Sequence, residues 1–295
     1  MERDSFIYKT RRKIQVVAHK LFSNEFMSKL YFKIVLKEKL DLKNPRTFNE
    51  KLQWLKLYYY PQNDLAVKCA DKYKVREYIK DKGYENTLVP LLGAWDNVED
   101  IDWDSLPNKF VLKCNHGCAY NIVCSDKTEF DRIKAKKQLN TWLKEDFGAF
   151  NIEPHYSNIK KHKITCEKFL GDNLVDYKFF CFNGIPKFIY VSSDLIHDRQ
   201  ARIGFFNIDG SKINLKRDDY ASIEKIKLLS FYNEMLKMAS KLCKDFPFVR
   251  VDFFVTKNKY YFAELTFTPS ACMMPFNPKE MDLEWGEMLN IKNLT

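Results

Sequence analysis

Apolar and polar positions alternate one by one in two short segments near the end of the chain, Arg250-Val251-Asp252-Phe253-Phe254-Val255 and Tyr261-Phe262-Ala263-Glu264-Leu265-Thr266. Successive side chains of a strand face opposite sides, so Arg250 shares a face with Asp252, and Glu264 with Thr266. The two strands predict a hairpin. A two-residue turn at Lys257-Asn258 would set Asp252 opposite Ala263, because a slip of one residue inverts every side chain. A three-residue loop, Lys257-Asn258-Lys259, pairs Thr256 with Tyr260 and Asp252 with Glu264. We therefore expect the odd-length loop, with a residue of positive φ near its end.

Elsewhere the spacing changes. Leu228, Tyr232, Met235, Ala239 and Leu242 follow at intervals of 4, 3, 4 and 3, which predicts a helix over 224–243. Thr47-Phe48-Asn49-Glu50 is a capping box opening a helix that runs to about Tyr59 and stops before Pro61. Residues 64–82 predict one helix ended by Gly83, and 129–146 another. Basic and apolar residues interleave through 1–43, as in Arg11-Arg12-Lys13-Ile14, and predict helices that pack on the domain or lie on a membrane surface. Strands are expected at 87–92, 110–114 and 122–124, the last two joined by the small-residue loop 115–121. Further strands span 164–170 and a hairpin over 177–192, with turns at Gly171-Asp172-Asn173 and Asn183-Gly184. Helices and strands do not alternate regularly, and much pairing reads as antiparallel. The fold class is α+β, in two lobes.

Composition narrows the partners. The 295 residues suffice for one large or two modest domains, and a content of 45% hydrophobic residues with 24 Phe and 16 Tyr excludes a disordered chain. Lys and Arg number 49 against 39 Asp and Glu, a net +10 that favours anionic partners such as nucleotide phosphates, acidic glycans or lipid head groups. The basic residues are scattered and match no nucleic-acid-reading motif, so no nucleic-acid partner is expected. Eight cysteines follow an N-terminus without a secretory signal, which predicts reduced thiols and a cytoplasmic protein. Cys114-Asn115-His116-Gly117-Cys118 has zinc-ligand residue types but lacks the paired spacing of structural zinc sites. No apolar run reaches the roughly 20 residues that span a bilayer. Contact with the inner face of a membrane, through the basic N-terminus, stays open. The sequence assigns no oligomeric state.

An Arg, an Asp and a Glu within apolar strands need counter-ions, because an unpartnered buried charge is costly. A divalent metal gripping a polyphosphate would supply them; a half-exposed hairpin whose charges face water is the plainer alternative. Three stretches go further: Asn44-Pro45-Arg46-Thr47-Phe48-Asn49-Glu50-Lys51-Leu52-Gln53-Trp54-Leu55-Lys56, Lys113-Cys114-Asn115-His116-Gly117 and Glu264-Leu265-Thr266-Phe267-Thr268-Pro269. Together they resemble the TupA-like ATP-grasp family, over roughly residues 25–290. The resemblance implies a two-lobed ATP-grasp fold with largely antiparallel sheets. Its parts would be an N-terminal helical extension (1–62), an α/β segment (63–106), a small lobe (107–170) and a large lobe carrying the metal site (171–295).

The resemblance also implies roles, with ATP and Mg2+ as cofactors. Lys72 and Lys113 would reach the nucleotide phosphates, and the loop holding Asn115 and Gly117 would close over them with backbone N–H groups. Where the family pattern has Ser-Gly this chain has Cys118-Ala119, and losing a glycine restricts positive φ. Glu167, Lys168, Phe169 and Leu170 match the segment joining the lobes at adenine, with Asp176 toward the ribose and Lys178 toward the phosphates. Arg250 would stabilise the transferring phosphoryl group, while Asp252 and Glu264 coordinate magnesium and Thr266 joins them through water. His116 and His197 are acceptor-side candidates. The reaction so implied is ATP-dependent carboxylate–amine ligation through an acyl phosphate in bacterial surface polysaccharide synthesis. Its substrates would be an acidic or amino sugar and an amino acid. A glycan kinase and a non-catalytic nucleotide-binding module of an assembly complex are the alternatives.

Overall fold

The computed structural model describes residues 15, 17–19, 21–172, 174–193, 201–217, 220–292 and 294. The helix expected within residues 1–14, Asn173 of the predicted turn and His197 lie outside the described residues.

Before the first sheet come α1 (Asn24–Leu36), α2 (Phe48–Trp54), α3 (Asp64–Ala70) and α4 (Val75–Asp81). The capping box is made in both directions between Thr47 and Glu50, and α2 passes through a wider turn at Leu55–Tyr59 into a tight one at Tyr60–Gln62. The single helix expected over 64–82 is two helices. Asp71 adopts φ −74° and ψ 112°, and its carboxylate accepts the N–H groups of Tyr73 and Lys74 at 2.8 and 3.1 Å. An aspartate that caps its own downstream backbone competes with the helix. The break sets Lys72 outside both helices.

β1 (Leu91–Trp95), β2 (Phe110–Cys114), β3 (Asn121–Cys124) and β4 (Ile164–Lys168) form an antiparallel sheet in the order β1-β4-β2-β3. The first strand begins later than expected, after Pro90, which has no N–H to give a ladder. Between β3 and β4 run α5 (Arg132–Leu143), α6 (Phe147–Asn151) and α7 (Pro154–Ser157). The second sheet contains β5 (Val175–Phe182), β6 (Ile185–Ser193), β7 (Arg202–Asn207) and β8 (Ala221–Ser222). After α8 (Tyr232–Leu242) it is completed by β9 (Phe248–Val255) and β10 (Tyr260–Thr266), and α9 (Glu280–Met288) follows. Its order is β10-β9-β5-β6-β7-β8, antiparallel except between β7 and β8. Asn183 and Gly184, with φ 48° and 78°, make the tight β5–β6 turn.

The helix expected from 224 starts eight residues later, at Tyr232. The preceding segment is tied to the sheet instead: the Ile223 N–H donates to the Ile203 carbonyl at 2.6 Å and the Tyr177 hydroxyl to the Lys227 carbonyl at 2.8 Å. The core behind the large sheet is aromatic, with Phe48 of α2 among Phe180, Phe182, Phe248 and Trp285. There α9 approaches the chain before α2 so closely that a Cβ on Gly286 would lie 2.2 Å from the Arg46 carbonyl oxygen.

Candidate active site

β10, β9 and β5 lie side by side, and one row across them reads Glu264, Asp252, Lys178. The row two residues along, on the same face, reads Thr266, Arg250, Phe180. The Asp252–Glu264 pairing is the expected one, but the turn that produces it is not. Val255 pairs with Tyr260 and the Thr256 N–H donates to the Lys259 carbonyl at 2.9 Å, so the turn is the two-residue Lys257-Asn258 form. None of its residues has a positive φ. Thr256 Oγ1 instead accepts the Lys259 N–H at 3.2 Å, satisfying a turn donor with a side chain. Ala263 is then a surplus residue, a β-bulge between Phe262 and Glu264 that restores the register.

Arg250 binds Asp252 through both arms of its fork, Nε to Oδ1 at 2.7 Å and Nη2 to Oδ2 at 2.6 Å. Nη2 also donates to Thr266 Oγ1 at 3.1 Å and lies 3.8 Å from Glu264 Oε1. The Thr266 hydroxyl in turn donates to Glu264 Oε1 at 2.8 Å. It ties Arg250 to one of the two carboxylates rather than standing apart as a ligand. Lys178 Nζ sits 3.7 Å from Asp252 and 3.6 Å from Asp176, whose other oxygen accepts the buried Ser192 hydroxyl at 3.3 Å. Asp176, expected at a ribose, stands one row over, opposite Phe254, and faces Lys178. Lys72 Nζ comes within 3.5 Å of Glu264 Oε2.

The small sheet supplies the facing wall. Lys113 of β2 donates to Glu167 of β4 at 2.5 Å, and Arg76 of α4 holds the other Glu167 oxygen at 3.4 Å. Lys113 also stands 5.6 Å from the Phe254 ring of β9. A cleft of about 190 Å³ runs between the sheets, lined by Lys72, Lys113, Glu167, Asp176, Lys178, Asp252 and Glu264. Burial opposes the charge of Lys72, Lys178 and Arg250, yet the facing carboxylates raise the pKa of all three. Lys72, Arg250 and Lys178 overcome the same desolvation to hold Glu264 down at about 2. Burial pushes Asp176 up.

Other expected residues do different work. His116 is 1% exposed, its Nε2 lies 3.0 Å from the Trp142 carbonyl, and its ring stacks on His162 at 3.5 Å. Burial and His162 bring its pKa down to about 4. It is not brought to the cleft, and its acceptor-side role is withdrawn. Asn115 is committed to the loop's own support, with Nδ2 on the Lys161 carbonyl, Oδ1 on the Lys163 N–H and its N–H on the Lys163 carbonyl. Gly117 is required by packing, since a Cβ there would sit 2.8 Å from the Phe147 ring and 2.9 Å from Tyr120. Ala119 takes a positive φ of 57° despite its methyl group, so the missing glycine has not kept this position out of the left-handed region. Lys168 is exposed, and Phe169 and Leu170 are half-buried, at the end of β4 outside the cleft lining.

Sequence reasoning missed Arg76 and Ser192. Ser192 left a trace, a hydroxyl directly after the apolar run Phe188–Val191; Arg76 looks like any helix-surface arginine. It also missed what the Asn49–Trp54 motif does. Asn49 Nδ2 donates to the Met274 carbonyl and to Asp282, and Gln53 Nε2 donates to the Cys272 carbonyl at 3.2 Å. These hold the turn directly after β10, where Ser270, Ala271 and Cys272 have φ of 52°, 53° and 60°. Consecutive left-handed residues cost about 1–2 kcal/mol each, and such strain persists only where neighbours enforce it.

The TupA-like ATPgrasp family profile matches residues 50–290, most of the chain. The chain belongs to the TupA-like ATP-grasp family. With it, the fold is an ATP-grasp fold. No curated protein matches this chain. Solved structures similar to it include a D-alanine–D-alanine ligase from Helicobacter pylori, at 16% identity and a TM-score of 0.49, covering 82% of this chain and 69% of the other. The ATP complex of the Bacillus anthracis enzyme of that name stands at 16% and 0.44, covering 75% and 62%. The ADP complex of N5-carboxyaminoimidazole synthetase from Staphylococcus aureus stands at 15% and 0.41, covering 79% and 53%. The chain thus spans only about half to two thirds of these proteins.

Proposed function

We propose that this protein is an ATP- and magnesium-dependent carboxylate–amine ligase. The reading rests on one observation: Glu264, Asp252, Lys178 and Arg250 are gathered across three adjacent strands, facing Lys113 and Glu167 over a cleft. Phosphoryl transfer needs positioning and charge neutralisation more than a protein nucleophile. Asp252 and Glu264 offer hard oxygens on neighbouring strands, and magnesium is held by one or two carboxylates together with phosphate oxygens. The donor set fits that ion, which when bound would neutralise phosphate charge. Lys72, Lys178 and Arg250 would face the phosphates, and Lys113 would exchange Glu167 for them.

A substrate carboxylate oxygen would attack the γ-phosphorus and release ADP. The amine nitrogen would then attack the acyl carbon, with loss of its proton and departure of phosphate, to leave an amide. We assign the substrates to an acidic or amino sugar and an amino acid of surface polysaccharide synthesis in the cytoplasm, a class suited to the +10 chain. The test is product analysis on the purified protein with ATP, magnesium and panels of uronic acids and amino acids. ADP release that requires both a carboxylate and an amine supports ligation. A phosphorylated sugar formed without amine would replace ligase by kinase. A melting temperature indifferent to ATP and magnesium would remove both, since a ligand at a hundredfold excess over Kd adds about 2.7 kcal/mol.

A further inference from the structure

Helix α1 carries apolar residues on two sides. Inward, α1 buries Met27 and Phe32, and Leu40 and Leu42 close over Phe32 beside Trp54. Outward, Phe26, Leu30 and Ile34 stand at every fourth position and are 49%, 39% and 53% exposed. That spacing makes one ridge along the helix. Phe22 stacks on Phe26 with ring centroids 4.9 Å apart and extends it. Lys29 and Lys33, four apart and exposed, stand alongside it, Lys29 sharing its charge with Glu25 at 2.5 Å, and exposed Lys37 follows as the left-handed cap of the helix. A surface helix normally turns its single apolar stripe to the core. Here the inner residues already fill that need, and a contiguous outer apolar patch marks a docking surface.

Charge selects the partner. Residues 1–46 contain 12 basic and 5 acidic residues, a surplus of seven out of the ten for the whole chain. Trp54, which backs α1, also walls an open cavity of about 680 Å³ with Lys43, Arg46, Lys51 and Lys292. A row of Phe, Leu and Ile beside a row of lysines is the composition of helices that lie in a bilayer interface. Lysine stems can lie along the apolar row while their ammonium groups reach the head groups. A second copy of this chain would bring the same lysines against these, opposing like charges. We propose that α1 docks the protein on an anionic membrane surface, with Phe26, Leu30 and Ile34 entering the interface and Lys29, Lys33 and Lys37 facing the head groups. This role does not depend on the ligase reading.

The experiment is flotation of the full chain with vesicles of phosphatidylcholine alone or mixed with phosphatidylglycerol. The protein should float with the mixed vesicles, stay behind with the neutral ones, and be released by salt as charges are screened. The triple variant Phe26→Glu, Leu30→Glu, Ile34→Glu should no longer float. Each lysine near an anionic surface is worth about a fivefold change in partitioning, so Lys29→Ser, Lys33→Ser and Lys37→Ser together should weaken it roughly a hundredfold. None of the six side chains is buried, so unchanged melting temperatures establish that the variants are folded. Wild-type protein that ignores anionic vesicles overturns the proposal, as does an acidic triple variant that floats equally well. A wild-type dimer that this variant dissociates, with no vesicle binding by either, would make the face a contact between copies and would also overturn it.

Discussion

Arg250 illustrates how a buried cation is kept in place by the side chains of its own sheet. Both arms of its fork are held by Asp252, and Thr266 fixes the angle between that pair and Glu264. Glu264 is the carboxylate on which Lys72, Arg250 and Thr266 converge, and removing its charge leaves those cations undercompensated. Glu264→Gln keeps the shape, and should lower the ATP-dependent turnover by about 10²–10³-fold, as loss of one preorganised electrostatic group does. Steady-state ADP release checks it, and a rate equal to wild type would take Glu264 out of the reaction. Ala119 offers the opposite kind of change. Its φ of 57° strains a methyl-bearing residue, so Ala119→Gly should relieve about 1–2 kcal/mol, partly offset by the greater freedom of glycine when unfolded. A net gain of about 1 kcal/mol in urea unfolding is expected.

At the level of elements, α2 acts as a clamp. Its Asn49 joins the Met274 main chain to Asp282 of α9 from a position 1% exposed, and Lys51 donates to the Gly286 and Leu289 carbonyls at 2.6 and 2.7 Å. Asn49→Ala would strand one oxygen of the buried Asp282 carboxylate together with the Met274 N–H and carbonyl, while the main-chain N–H of residue 49 keeps the other oxygen. The loss should be on the order of 3 kcal/mol, read as a lower urea midpoint, with activity falling as the left-handed turn after β10 slackens. The sequence made the cap of this helix legible, because Thr47 and Glu50 are local partners. It could not reveal the clamp, whose partners lie more than two hundred residues away. The hairpin shows the same divide. Alternation placed Asp252 and Glu264 on one face, since side-chain period is intrinsic to a strand. Whether one residue is absorbed in the turn or in a bulge at Ala263 depends on Thr256 capping the turn and on the neighbouring strand. Lys72 was legible as a residue type, but the break at Asp71 that aims it at Glu264 reads as helix.

The whole molecule gathers two buried histidines that weaken it as acid is added, against buried carboxylates such as Glu153 and Asp282 that burial shifts up. His155 is fully buried among Tyr60, Tyr156 and Phe267, and neither ring nitrogen has a hydrogen-bond partner among the described residues. Burial and then Lys56 bring its pKa down to about 3, while burial and His162 bring that of His116 to about 4. Both are therefore neutral when folded, whereas the unfolded chain takes up their protons near pH 6.5. Between those values the unfolded state binds more protons, so stability falls as pH drops from about 6.5, until His116 titrates near 4 and His155 near 3. The loss is on the order of 3 kcal/mol for His116 and 5 kcal/mol for His155. Glu264 acts separately: its lowered pKa stabilises the fold above about 4.5, and that contribution disappears only as pH falls toward 2. His155→Phe keeps an aromatic ring where the imidazole makes no hydrogen bond, and removes the titration. Its urea midpoint should match or exceed wild type at pH 7.5 and exceed it by a wider margin at pH 5. Parallel curves for the two proteins across that range would show that His155 is protonated, or hydrated, inside the fold.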